Sequence, residues 1–490
     1  MVQFLSIFTG LWAWCTSLFG VETGNNGASP ALASELLSAF LIKDITSNVS
    51  EFTARNRDFY RNMAARHGSP NYTLHWHFMS ASNAYLSDIH QNILFERAFY
   101  SLDPTRGHRG TIDKSFIVYS QWAEDWSEQL SFPRLLDVNE TAGSIYFDDF
   151  SGKTRVMEGP EDAKVIYDPD TQKLILNFNM LTPSSDRQML TQEVEVLTID
   201  RNSSNPDVIT DQIAAANTDK YEYFMAKTEP LMQFEHDNGH RESAEKNWVP
   251  IIIQGEVHYL YSLFPLRIIK CVADDATDKL NFNPDKDVTG AMKTCTVKFN
   301  GPVVGGSRQT GPVRSGTNWV EYSPGLFFSF ARTRVSHKKC SGYALYRPNL
   351  VLLRFDVDKN TEEYANPRII YISEPITKFD DEIFALYSKT GLSNGNKCDD
   401  RAIITPGSIT RWIPKDGDGS DELDLVVGVN DDINVVVRLM GVDEAINNAL
   451  IKEPSLKKCQ KLAKKGTLMK KAQKSMTEFI EREIVPTKTK

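Results

Sequence analysis

From Trp76 to Met440 the chain repeats one pattern, short apolar runs broken by turn-forming residues. Val257 to Tyr261 alternates, Ser323-Pro324-Gly325 separates Trp319 to Tyr322 from Leu326 to Phe330, and Asp358-Lys359-Asn360 separates Leu350 to Asp356 from Arg368 to Ser373. Successive side chains of a strand point to opposite faces, so runs of this kind read as hairpins in series and predict an all-β body over residues 76–440. Serial hairpins over this length fit either a large sandwich or a propeller, and internal repeats are too faint to choose between them.

The flanks read differently. Phe4 to Val21 is mostly apolar and only just long enough to cross a bilayer. It has no basic residues ahead of it and no small-residue cleavage site behind it. Residues 1–23 are therefore read as a retained signal anchor, with a removed signal peptide as the alternative. Gly24 to Pro30 is a small-residue linker, and Leu32 to Ala65 reads as one or two helices interrupted around Thr46 to Ser50, giving a stem over residues 24–75. Four glycosylation triplets, at Asn48, Asn71, Asn139 and Asn202, fit a lumenal chain, for which a Golgi membrane location is expected.

A helical insertion is predicted over Ile209 to Lys227. Residues 441–490 read as a basic helical extension carrying Lys457, Lys458, Lys461, Lys464, Lys465, Lys470, Lys471 and Lys474. A solvated helix face is the first reading of those lysines, and contact with an anionic membrane surface the second. The net charge of −9 argues against a nucleic-acid partner. The cysteines lack the close spacings of zinc clusters. Cys271 and Cys295 are near enough in sequence to pair, and one of Cys340, Cys398 and Cys459 is left over.

Paired carboxylates stand out in Gly159-Pro160-Glu161-Asp162-Ala163-Lys164, just ahead of the alternating segment Lys173 to Phe178. Glycosyl transfer passes through a cation-like sugar and needs one carboxylate to move a proton while others hold hydroxyls, so Asp162 is the candidate catalyst and Glu161 a sugar contact. Lys246-Asn247-Trp248 groups a cation, an amide and a ring that can stack on a pyranose, a reading level with plain packing of the tryptophan. His258 and Tyr259 lie on opposite faces of one strand, and His258 is at most a ligand contact. Arg267, the Gly306-Ser307-Arg308 turn, Arg332 and Arg334 are candidates for holding an anion. Asp356-Val357-Asp358 and Asp416-Gly417-Asp418 have metal-like spacing but are given no ligand role, so a divalent metal stays an open cofactor.

In chain order, the Gly-Pro-Glu-Asp strand, Lys-Asn-Trp-x-Pro at 246–250, Tyr-Ser-x-x-Pro-Leu-Arg at 261–267, the Gly-Gly-Ser turn at 305–307 and Gly428-Val429-Asn430-Asp431 resemble the β-mannoside phosphorylase superfamily. Arg332-Thr333-Arg334 and Cys340-Ser341-Gly342-Tyr343-x-x-Tyr346-Arg347-Pro348 are similar to the fungal β-1,2-mannosyltransferases. That resemblance implies a five-bladed β-propeller with the site at its axis. It also implies proton transfer by Asp162, directly or through a hydroxyl of the sugar, and sugar binding by Asp431. Ala163 and Lys164 stand where the phosphorylases usually carry proline and arginine, and lysine lacks the planar arginine fork. Lys164 is kept as a substrate contact. The expected reaction is inverting transfer of mannose from GDP-mannose to a mannose hydroxyl of an oligomannoside. Phosphorolysis or hydrolysis of β-mannosides, or a non-catalytic mannan-binding propeller, are the alternatives.

Overall fold

The computed structural model describes residues 36–55, 76–101, 112–131, 133–136, 159–181, 187–198, 224–228, 232–236, 248–273, 292–300, 313–340, 344–415, 420–451 and 453–485. All fall in one compact unit, Leu32–Lys490. The expected anchor and linker, Lys246, Asn247, Gly306, Ser307, Arg308, Asp416, Asp418 and the triplets at Asn71, Asn139 and Asn202 lie outside the described residues.

The first described strand, β1 (Ser38–Asp44), comes before any blade. Blade one is β2 (Trp76–Leu86), β3 (Gln91–Ser101), β4 (Ile112–Ala123) and β5 (Arg134–Leu135). Blade two is β6 (Glu161–Asp168), β7 (Lys173–Leu181) and β8 (Arg187–Thr198), with β9 (Phe224–Thr228) and β10 (Met232–His236) both paired to β8. Blade three is β11 (Val249–Ile253), β12 (Glu256–Leu263), β13 (Leu266–Ala273) and β14 (Met292–Asn300). Parallel pairing of β10 with β14 fuses the outer edges of blades two and three into one nine-stranded sheet. Blade four has a split inner strand, β15 (Val313–Arg314) and β16 (Val320–Ser323), both on β17 (Leu326–Ser336), followed by β18 (Ala344–Val357) and β19 (Tyr364–Ile372). Blade five is β20 (Ile404–Ile413), β21 (Glu422–Val429) and β22 (Ile433–Met440).

Strand alternation sends one face of each blade to each neighbour, and the buried side chains accordingly gather in five junction layers. Ile93, Phe95, Val165 and Leu176 join blades one and two. Met189, Trp248 and Tyr261 join two and three. Ile251, Ile268, Phe327 and Leu353 join three and four. Phe328, Leu352, Leu425 and Val437 join four and five. Leu94, Trp122, Val426 and Val436 join five and one. Five layers that return to the first blade make a five-bladed propeller, as the resemblance implied.

The ring is closed by its N-terminal segment. β1 pairs antiparallel with β22, from Ser38↔Met440 to Asp44↔Val435, and becomes the outer strand of blade five. This corrects the expected helix over the start of Leu32 to Ala65. Pairing along an open sheet edge outweighs a local helical pattern. Further along that segment, α1 (Val49–Arg55) is helical as expected. A buried polar cluster locks the closure: Glu96 on β3 accepts from Ser47 Oγ, from Ser47 N at 3.3 Å and from Asn434 Nδ2 at 2.7 Å, while Asn434 Oδ1 takes the Ala81 N–H at 3.1 Å. Burial pushes the Glu96 carboxyl up to about 7 against the pull of those donors, and Asp44 adds to the rise.

A second correction concerns Phe224–Thr228, expected at the end of a helix and found as β9. Helices α2 (Asp380–Tyr387) and α3 (Lys397–Asp400) precede blade five, and α4 (Val442–Leu450), α5 (Leu456–Lys464) and α6 (Thr467–Phe479) form the expected helical end. Met476, Phe479 and Ile480 pack on Val335 and Leu345 of blade four, so that end is part of the body. Disulfides join Cys271 to Cys295 and Cys340 to Cys398, which among the described residues leaves Cys459 buried and free. Among the described residues no helix is long and apolar enough to cross a membrane.

Candidate active site at the propeller axis

Three inner strands carry an extra residue near their starts. Against its partner, β2 advances from Met79 to Ser82 while β3 moves from Arg97 to Phe95. β6 advances from Glu161 to Lys164 while β7 moves from Asn179 to Asn177. β20 advances from Pro406 to Ser408 while β21 moves from Val427 to Val426. Each is a β-bulge, which re-aims side chains locally. The bulges of β2 and β6 hold Ser80 at φ 52° and Asp162 at φ 51°, the left-handed region that non-glycine residues seldom adopt. The bulge of β20 holds Gly407, where a Cβ would come within 2.1 Å of the Ala81 carbonyl oxygen, so only glycine lets blades five and one approach this closely.

Asp162 is therefore held by the backbone in an uncommon conformation. Its side chain is 25% exposed, whereas that of adjacent Glu161 is 3% exposed. Both face Arg97, at 3.9 Å from Asp162 Oδ1 and 3.4 Å from Glu161 Oε1. Arg97 Nε donates to Ser115 Oγ at 2.9 Å, and Ser115 donates in turn to the Pro160 carbonyl. Asn179 Nδ2 donates to the Glu161 carbonyl at 3.2 Å. Glu161, expected as a sugar contact, is buried and faces Arg97. Asp162 is the carboxylate a ligand can reach.

Lys164 identifies the axis. Its Nζ donates to the Gly407 carbonyl at 2.9 Å, joining blade two to blade five. Those blades are not neighbours in a ring of five, so the bond crosses the centre. Burial brings the Lys164 ammonium down to about 7, the positive charge of Arg332 acts in the same direction, and Asp162 opposes both. Arg332 comes from blade four, so polar groups of three blades meet in one place.

Arg332 and Arg334 lie two residues apart within β17, inside the strand and not beyond its end, and share a face. Arg314 on β15 is directly opposite Arg332, and Tyr346 on β18 is opposite Arg334. The Arg332 guanidinium is 5.9 Å from the Tyr346 ring centroid, and Arg334 Nε donates to the Tyr346 hydroxyl at 3.0 Å. Burial and the charges of Arg332 and Arg334 depress Arg314, while Tyr346 opposes the fall. Behind Tyr346, fully buried Arg347 donates to its carbonyl at 2.6 Å, pairs with Asp380 at 2.9 Å and lies against the Phe384 and Phe479 rings. Lys164, Arg314, Arg332 and Arg334 form a cationic group suited to a phosphate-bearing ligand.

Other expected contacts are placed elsewhere. Trp248 is 1% exposed and packs in the junction of blades two and three, with its ring 5.1 Å from that of Tyr261. Of the two readings the sequence left level, the packing of the indole in this junction is the one the burial agrees with. Tyr259 is buried in the same layer beside the Thr191 hydroxyl at 3.3 Å. His258 is buried with Nδ1 3.0 Å from the Glu256 carbonyl, and burial lowers its pKa, so it too is structural. Arg267 is half-buried at the start of β13, paired in register with Asn300. Asp431 occupies the left-handed turn between β21 and β22, whose neighbours are tied to Ile403 through Asn430 and to Tyr387 through Asp432. Asp356 is engaged by Arg368 at 2.6 Å, and Asp358 accepts the Asn360 N–H of its own turn at 2.7 Å.

Sequence reasoning missed Arg97, Arg314 and Tyr346. A charged pair, Glu96-Arg97, inside the otherwise apolar run Ile93 to Phe99 is the signal for the first.

A family model described as beta-mannosyltransferases matches residues 32–479. The chain is similar to beta-mannosyltransferase 2 of Komagataella phaffii, 26% identical over 390 residues that cover 75% of this chain and 51% of the relative. It is similar to beta-mannosyltransferase 7 of Candida albicans, 22% identical over 380 residues that cover 69% and 53%. The chain spans about half the length of these curated relatives. Among solved structures it is similar to a GDP-Man-dependent mannosyltransferase from Leishmania mexicana, at 9% identity and a TM-score of 0.33, covering 78% of this chain and 94% of that one.

Proposed function

Since the chain belongs to the beta-mannosyltransferase family, we propose that it transfers mannose from GDP-α-mannose to a mannose hydroxyl of an oligomannoside glycan, with inversion, forming a β-1,2-mannoside. The observation that carries this reading is one partly open carboxylate, Asp162, beside a cationic group drawn from blades two and four. The acceptor hydroxyl loses its proton to Asp162, directly or through a sugar hydroxyl. Its oxygen bonds to the anomeric carbon as the bond from that carbon to the diphosphate breaks, and GDP leaves. A single displacement turns the α donor into a β product. Positioned proton transfer of this kind contributes about 100-fold or more. Lys164, Arg314 and Arg332 offset the charge that grows on the departing diphosphate, an electrostatic effect that can exceed base catalysis.

Arg97 is a positioning residue in this scheme: it holds Asp162 from behind and is itself fixed by Glu161 and Ser115. The reading places the enzyme in the secretory pathway, membrane-bound through Phe4 to Val21, where sugar nucleotides and nascent glycans meet. Purified protein supplied with GDP-mannose and oligomannosides gives an elongated glycan whose new linkage is β by NMR. Supplied instead with β-mannobiose and phosphate, it gives no mannose 1-phosphate; formation of that product without elongation overturns the transferase reading. Parallel reactions with a chelator decide whether a divalent metal assists.

A further inference from the structure

The C-terminal helices carry a feature that the transfer reaction does not use. Residues 456–490 hold ten lysines and one arginine against three glutamates, in a chain whose net charge is −9. The rest of the molecule is therefore strongly acidic and this segment strongly basic. Lys457, Lys458, Lys461 and Lys465 on and just after α5, and Lys470, Lys471 and Lys474 on α6, are all exposed. Of these, Lys474 pairs with Glu478 at 3.5 Å, both largely open to solvent.

Helical spacing puts the lysines of each helix on the side away from its buried residues. At 3.6 residues per turn, Lys470, Lys471 and Lys474 lie opposite Ala472, Met476, Phe479 and Ile480, the side of α6 that is buried against blades three and four. On α5, Lys457 and Lys461 lie opposite buried Cys459, with Lys458 and Lys465 flanking them. The apolar side is anchored in the body, so the lysines are displayed by a fixed scaffold.

An exposed apolar side chain precedes them in the chain. Ile451, at the end of α4 and just ahead of α5, is 78% exposed, the most open of the large hydrophobic residues among the described ones. An isoleucine gains little from water and much from an acyl boundary. Lysine is a point charge suited to a diffuse anionic surface, whereas a single phosphate is better held by the arginine fork. No aromatic residue is interleaved with the lysines from Lys457 to Lys474, so the stacking platform of single-stranded nucleic-acid binding is lacking on this face.

We propose that these exposed lysines of α5 and α6, together with Ile451, make a docking surface for the headgroups of an anionic lipid bilayer. It acts by screened attraction and shallow insertion of one side chain, independently of the catalytic axis.

The test is co-sedimentation of the full chain with vesicles of phosphatidylcholine alone and with phosphatidylserine added. Any contribution of the apolar N-terminal stretch is common to both lipids, so the ratio of the two affinities reports the lysines. The ratio falls steeply as salt rises. A variant with Lys457, Lys461, Lys465, Lys471 and Lys474 all changed to glutamine loses the preference for phosphatidylserine by at least about 100-fold, with melting temperature and mannosyl transfer unchanged. Ile451→Ser weakens binding to the anionic vesicles by about tenfold and leaves the salt dependence as it was. Equal binding to both vesicles overturns the proposal. So does a phosphatidylserine preference that survives the five glutamines. Heparin binding as tight as vesicle binding, together with no effect of Ile451→Ser, assigns the surface to a soluble polyanion and overturns it too.

Discussion

Glu96→Gln tests the closure of the propeller through pH. The Glu96 carboxyl is buried at the junction of blades five and one, held by Ser47 and Asn434, and raised from 4.5 to about 7. A carboxyl raised on folding favours the protonated native state, so its contribution is fully present below about 4.5 and is lost progressively as pH rises towards 7. At about 1.4 kcal/mol per pH unit the full swing is roughly 3 kcal/mol, an upper figure for a group with this many donors. Glutamine keeps the shape and titrates nowhere in this window. The assay is urea unfolding of wild type and Glu96→Gln between pH 4.5 and 8, because the difference between the two cancels every other titrating group. Wild type loses about 2–3 kcal/mol relative to the variant across that range. Two curves that stay parallel within about 0.5 kcal/mol refute the reasoning.

Two further changes probe the axis. Arg97→Met removes the buried cation that faces Glu161 and Asp162 and costs about 3–5 kcal/mol in unfolding free energy; adding Glu161→Gln recovers part of that loss but not the turnover, because Asp162 has lost the guanidinium behind it. Lys164 is cationic below about 7 and neutral above it, so the KM for the sugar nucleotide rises as pH passes through 7, and Lys164→Arg flattens that limb in a pH series of initial rates.

The hairpins of the body were legible because period-two alternation records which faces are buried, as in Val257 to Tyr261, whose odd residues meet blade two while Leu260 meets blade four. The strand Ser38–Asp44 was not, since its conformation comes from an edge offered some 400 residues later by β22, and local pattern carries no trace of such a partner. At the site, Asp162 was legible as an acid at a strand start, but the bulge that separates its fate from that of Glu161 is a matter of register between β6 and β7. Trp248 left two readings level because a tryptophan beside amide and cation looks alike in sequence whether it stacks on a sugar or packs near Tyr261. Arg314 and Tyr346 become visible only when β15 and β18 are laid on either side of β17.

The most direct measurement is the turnover of Asp162→Asn with GDP-mannose and an oligomannoside. Asparagine tolerates the left-handed backbone at this position and keeps the side-chain shape while removing the proton acceptor. The expected result is a kcat at least about 100-fold below wild type with the unfolding midpoint unchanged. A variant that elongates the glycan at the wild-type rate contradicts the assignment of proton transfer to Asp162.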